Sequence, residues 1–163
     1  MNAVHCSLLS AFMAIVSLVP LAGQETVVPP DFVLRFEGGL CSGPAIDTQA
    51  GTFRREIDSG QWVTAAVVLT ASQRAALFEM VAAAQLMTYP EEYVPVTNGR
   101  LIPASRHVIS VQFSAQRRTI RWTDHASEEP AAQRLRTFIR RVRAYFEAMP
   151  EVARLPKQQA FCL

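Results

Sequence analysis

His107, Asp124 and His125 are close enough in the chain to meet across a hairpin, and imidazoles with a carboxylate are a zinc ligand set. Such a site needs three or four converging ligands. Consecutive Asp124 and His125 would point to opposite faces of a strand, and neither an HxH nor an HExxH spacing occurs. The expectation is therefore a pair of surface histidines at a strand end and no metal. Glu91 and Glu92, flanked by Tyr89 and Tyr93, are the next candidates. Glycoside hydrolysis needs two carboxylates several ångströms apart across a cleft, which adjacency does not provide. No GxSxG or SxxK pattern surrounds a serine. Catalytic residues and cofactors are accordingly not assigned.

Arginine is the abundant reactive group. Residues 24–99 carry nine acids against four arginines, whereas residues 100–143 carry ten arginines against Asp124, Glu128 and Glu129. The net charge of +2 conceals this division. Arginine forks match carboxylates and phosphates. Arg136, Arg140 and Arg143 recur on one side of a predicted helix, and Arg117, Arg118 and Arg121 lie on the hairpin before it. Together they form a candidate surface for an anionic partner: an acidic protein surface, an anionic glycan or lipid headgroups. No aromatics interleave with these arginines, so nucleic acid is not expected.

Of the three cysteines, Cys6 precedes the apolar run of the leader, where a lipidated cysteine would have to follow it; Cys41 and Cys162 remain, and the start of the chain decides how they are read. Ser7 to Ala22 is an uncharged apolar run followed by small residues, the pattern of a secretory signal peptide over residues 1–23, cleaved near Ala22 or Gly23. The alternative is an N-terminal membrane anchor, although the run is shorter than the about 20 residues of a spanning helix. Export to the periplasm or the extracellular space makes a Cys41–Cys162 disulfide the expected use of the pair and removes Cys41 as a nucleophile. The bridge would close about 120 residues, worth roughly 4–5 kcal/mol in the chain-entropy model.

The elements that must position these groups follow from periodicity. Phe32, Leu34 and Phe36 alternate with Val33, Arg35 and Glu37, predicting a half-buried strand that Gly38 and Gly39 break. Residues 45–57 read as a hairpin around Gly51, with Phe53 and Ile57 inward and Arg55 at the edge or in a bulge; residues 61–69 read as a further strand. Thr70 and Gln73 form a capping box for a helix to about Met87, with Leu77, Phe78, Val81 and Leu86 as its apolar stripe. Residues 91–105 read as a long loop. A hairpin over 106–122, with its loop at Ser114 to Arg117, pairs Ile109 with Trp122 and Val111 with Ile120, and places His107 opposite Asp124. Its other face carries Ser110, Gln112, Thr119 and Arg121. Glu128, Glu129 and Pro130 open a second helix whose stripe is Leu135, Phe138, Ile139, Val142, Phe146 and Met149; Pro150 stops it.

Half of the residues are apolar and 18% are charged, a composition that folds rather than remaining disordered. The expectation is a single α+β domain over residues 24–163: a mainly antiparallel sheet with two helices packed on one face. Asp47-Thr48-x-x-Gly51-Thr52, the helix start at Leu69-Thr70, Tyr89-Pro90 and the near-terminal Cys162 together resemble uncharacterised exported single-domain α+β proteins with a C-terminal cysteine. That resemblance implies a fold and a compartment and no activity. The functional expectation is a disulfide-closed binding domain; the alternative is a small extracytoplasmic hydrolase with its site near the 91–105 loop. Non-reducing mass spectrometry of the isolated protein should find Cys41 and Cys162 in one linked peptide, and two free thiols there would refute the bridge.

Overall fold

The computed structural model describes residues 27–40, 43–58, 60–97, 99 and 103–157. The leader, Cys41 and Cys162, and with them the expected bridge, lie outside the described residues. The strands are β1 (Val33–Gly39), β2 (Ala45–Asp47), β3 (Thr52–Asp58), β4 (Gln61–Ala66), β5 (Glu92–Tyr93), β6 (Ser105–Phe113) and β7 (Gln116–Asp124). The helices are α1 (Ala71–Ala84), α2 (Pro130–Glu147) and the short α3 (Pro150–Ala153), with a 3-10 turn at Leu86–Thr88. One sheet of order β4-β3-β2-β1-β6-β7-β5 contains all seven strands, antiparallel except where β5 runs beside β7. The α+β architecture, with its mainly antiparallel sheet and two main helices, is as the periodicity indicates.

Strand alternation directs Leu34, Phe36, Ile46, Phe53, Ile109, Val111, Ile120 and Trp122 to one face, where all are buried. Against that face α1 lays Leu77 and Val81, and α2 lays Leu135, Phe138, Val142 and Phe146. Phe53 stacks on Phe146 at 6.3 Å, and Phe78 meets Phe32 and Phe113 edge-on at 5.2 Å each. Burial of each such side chain contributes about 1.5–3 kcal/mol before entropy is charged against it. The helices start where expected. Gln73 N–H donates to Thr70 Oγ1 (3.2 Å) and Thr70 N–H to Gln73 Oε1 (2.8 Å), while Pro130 occupies the first turn of α2, where a missing N–H leaves no gap in the ladder.

Several local expectations are corrected. The β6–β7 hairpin is tighter by two residues: Ile109 faces Ile120, Val111 faces Arg118 and His107 faces Trp122. Because the slip is even, every side chain keeps its face. The loop is only Ser114 and Ala115, both at positive φ, and Asp31 holds it by accepting from Ser114 N–H (2.9 Å) and Ala115 N–H (2.7 Å). Those two amides hold the Asp31 carboxyl below its ordinary range. The β3–β4 bulge falls at Ile57, between Glu56 and Asp58, and leaves Ile57 only half-buried; Glu56 keeps the parity of Arg54, opposite Trp62, and is nonetheless buried, while Arg55 keeps the parity of Phe53 and reaches the Val152 carbonyl oxygen (3.3 Å). β4 ends at Ala66, α1 ends at Ala84 with Gln85 in the left-handed region, and Pro150 starts α3 as well as ending α2. The 91–105 segment contains β5.

Gly38 and Gly39 extend β1 instead of ending it, opposite His107 and Arg106. At Gly38, φ is 129°, and a Cβ there would lie 2.1 Å from the Arg106 carbonyl oxygen. A Cβ on Gly43 would lie 1.8 Å from the Gly38 carbonyl oxygen. These two glycines let three backbone segments meet. Gly38→Ala should therefore destabilise the protein by clearly more than the about 1 kcal/mol associated with a simple Gly/Ala propensity change, as read by urea denaturation.

Candidate binding surface

The face of the sheet away from the helices is uncovered among the described residues. One row crosses all seven strands: Thr64, Arg54, Ala45, Glu37, Val108, Arg121 and Glu92. Beside it runs Asp47, Arg35, Ser110 and Thr119. Arg35 is tied to Asp47 (2.9 Å) and Gln49 (2.6 Å), and Ser110 hydrogen-bonds Thr119 (2.9 Å). Burial raises the Asp47 carboxyl pKa, but the Ala50 and Gln49 amides and Arg35 outweigh it and leave it lowered. Along this second row the charges satisfy one another.

The first row contains a groove of about 390 Å³. Gly39, Gly43 and Ala45 have too little side chain to fill the space between Trp62 and Arg54 on one side and Val108 and Arg106 on the other. Trp62 is 39% exposed and Val108 38%, so both offer apolar surface to the groove. The Arg54 guanidinium lies over the Trp62 ring at 5.0 Å, worth about 0.5–1 kcal/mol at such an exposed site. Glu37 stands on the floor between the two arginines. The groove thus combines two forked cations, one carboxylate and two apolar contacts. A second hollow, of about 360 Å³, lies between α1 and α2, lined by Met80, Ala84 and Phe138 with Arg134 and Arg141 at its margin.

The six arginines singled out from the sequence do not form one patch. Arg117 and Arg121 project from β7 on the open face, and Arg118 projects on the face that carries Val111. The other three belong to α2, in the layer on the far side of the sheet. Arg121 is paired with Glu91 and Glu92, which raises its pKa. Arg136 is committed to the fold: it donates to Asp124 Oδ1 (3.0 Å) and to the Ser127 carbonyl oxygen (2.5 Å). Arg143 lies 4.0 Å from Glu147 and approaches Gly39, while Arg140 is exposed beside Thr137. The sequence reading missed Arg54, Trp62, Arg106 and Val108 as a group. Their shared outward parity on β3, β4 and β6 was readable, but the order of those strands in the sheet was not.

The histidine expectation is also corrected. His107 is buried between Phe36 (5.9 Å) and Trp122 (5.5 Å), and Asp124 stands opposite Ser105. Tyr93 and Tyr89 continue the aromatic series from Trp122, with centroid separations of 6.3 and 5.2 Å. Burial, and then Glu129, which accepts from Tyr93 Oη–H at 3.0 Å, push the Tyr93 phenol up to about 12. Among the described residues no three His, Cys, Asp or Glu side chains converge as metal ligands, and no helix is long and apolar enough to cross a membrane.

No protein-family model matches the chain, and no curated protein matches it.

Burial lowers the His107 pKa from 6.5 to about 4, against Asp124, which raises it, and together with Arg143, which lowers it further. The folded state therefore prefers the neutral imidazole. Its contribution is fully present above the unfolded value of about 6.5 and is lost as pH falls from there towards 4, by up to about 1.4 kcal/mol per pH unit. His107→Phe, which keeps an aromatic ring between Phe36 and Trp122, should flatten this part of the stability–pH curve; an unchanged slope would contradict the assignment.

Proposed function

We propose that the protein is an exported binding domain, closed by the Cys41–Cys162 disulfide, that holds an anionic glycan on the open face of its sheet. The observation that carries this reading is the groove itself, with Arg54 and Arg106 facing across Glu37, Trp62 and Val108. Two guanidinium forks receive carboxylate or sulfate groups, the Glu37 carboxylate accepts from hydroxyl donors, and the apolar contacts take the face of a sugar ring. A bare polyanion uses only the first of these. Charge repulsion from Glu37 further disfavours it, and a phospholipid surface presents no ring to Trp62.

The basic bias of the second half of the chain contributes through Arg106 and Arg117, which share this face, more than through α2; Arg121, on the same face, is paired with Glu91 and Glu92. Arg136 serves the fold through Asp124, so its substitution tests stability before it tests binding. The charged rim adds long-range attraction that salt screens over about 8–10 Å.

Calorimetric titration with sulfated and uronate oligosaccharides should show binding that weakens steeply as salt rises. Arg54→Glu combined with Arg106→Glu should weaken it at least tenfold while the melting temperature falls by no more than the few degrees that loss of the Arg54–Trp62 contact implies, and Arg140→Glu, on the opposite layer, should leave binding intact. Binding of polyglutamate or anionic vesicles in place of the oligosaccharides would move the partner to another class, and no binding to any of them would overturn the proposal.

A further inference from the structure

We propose that the outer edge of β4 pairs with the same edge of a second copy of this chain, continuing the sheet across a two-fold axis. The two ends of the sheet are guarded very differently. At one end β5 is two residues long, carries Glu92 beside Glu91, and is flanked by Pro90 and Pro95, all features that block further strand addition. At the other end, the chain from Gly60 to Gln73 contains no charged residue and no proline. It is rich in Val, Thr, Trp and Ala, and among the described residues no strand lies beyond it.

The backbone of this edge has a definite parity. Val67 N–H donates to the Gly51 carbonyl oxygen (2.8 Å), and Phe53 stands opposite Ala65 and Arg55 opposite Val63. In an antiparallel ladder, hydrogen-bonding groups alternate in direction from residue to residue. Val63, Ala65 and Val67 therefore turn their groups towards β3, and Trp62, Thr64 and Ala66 turn theirs outward. A two-fold axis through Thr64 matches outward residue to outward residue: Thr64 meets Thr64, and Trp62 meets Ala66 of the partner copy. Three mutually bonded pairs follow, or about six backbone hydrogen bonds.

Side chains agree with the same register. The largest residue faces a small one, Val63 faces Ala65, and the central Thr–Thr pair is a favourable cross-strand combination. A symmetric interface places each residue near its own kind, so a charge close to the axis would meet a like charge. A charge-free strand meets that condition. A binding edge for an unrelated acidic or basic segment would be expected to carry the complementary sign.

Sedimentation of the protein isolated after expression of the full chain should show a dimer that dissociates on dilution. Thr64→Pro removes one outward N–H and no bond to β3, a replacement that edge strands tolerate, and should give a folded monomer. Thr64→Lys places two like charges on the axis and should also give a monomer; it decides the matter if Thr64→Pro fails to fold. A wild type that is monomeric throughout overturns the proposal and leaves the edge to an extended segment of a different protein. A dimer that persists in a folded Thr64→Lys variant overturns it too, by placing the interface elsewhere.

Discussion

The antiparallel pairing of β1 with β6 is the contact on which the other features depend. It joins Val33 to Gln112 and Gly39 to Arg106, residues far apart in sequence, and so fuses the meander β1–β4 to the hairpin β6–β7. Without it there would be two small sheets, each too narrow to cover α1 and α2. The loop-closure entropy of such a distant pairing is offset only when the apolar faces on both sides are buried together. Gly38 is its tightest point, where a side chain would strike the backbone of Arg106.

A single sheet has two faces, and among the described residues helices cover one of them. Residues of the same type consequently take unlike roles. Arg136 is drawn to Asp124 and Ser127 and fastens the start of α2 to the end of β7, whereas Arg54 lies over Trp62 on the open side. His107 is near the start of β6, in a position that reads as surface, yet its parity turns it into the aromatic series between Phe36 and Trp122. Burial then keeps it neutral. The hydroxyl pair Ser110–Thr119 is on the opposite parity and remains on the open face.

Much of the fold was legible because its signals are local. The alternation in β1, the Thr70–Gln73 box, the proline that opens α2 and its apolar stripe each lie within one turn or one strand. What was not legible depends on distant partners. The two-residue slip of the β6–β7 hairpin arises from a loop of Ser114 and Ala115 at positive φ, a conformation neither residue advertises, and one held by Asp31, which is distant in sequence and just precedes the neighbouring strand β1. The glycines at 38 and 39 read as a turn because the residue they make room for, Arg106, is distant in the chain. The groove was invisible for the same reason: Trp62, Arg54, Val108 and Arg106 belong to three strands whose order is a tertiary fact.

Sequence alone determined the fold class, the positions of most elements and the parity of β1 and of the β6–β7 hairpin, since hydrophobic period and capping chemistry act over a few residues. It also set the uneven charge and the charge-free character of the stretch from Gly60 to Gln73. Tertiary structure decided which strands are neighbours, which arginines are spent on the fold and which stay exposed, and which strand stands at each edge of the sheet among the described residues. The physical reason is that a side chain's role follows from what lies within a few ångströms of it, and for a sheet those neighbours come from segments that only long-range pairing brings together.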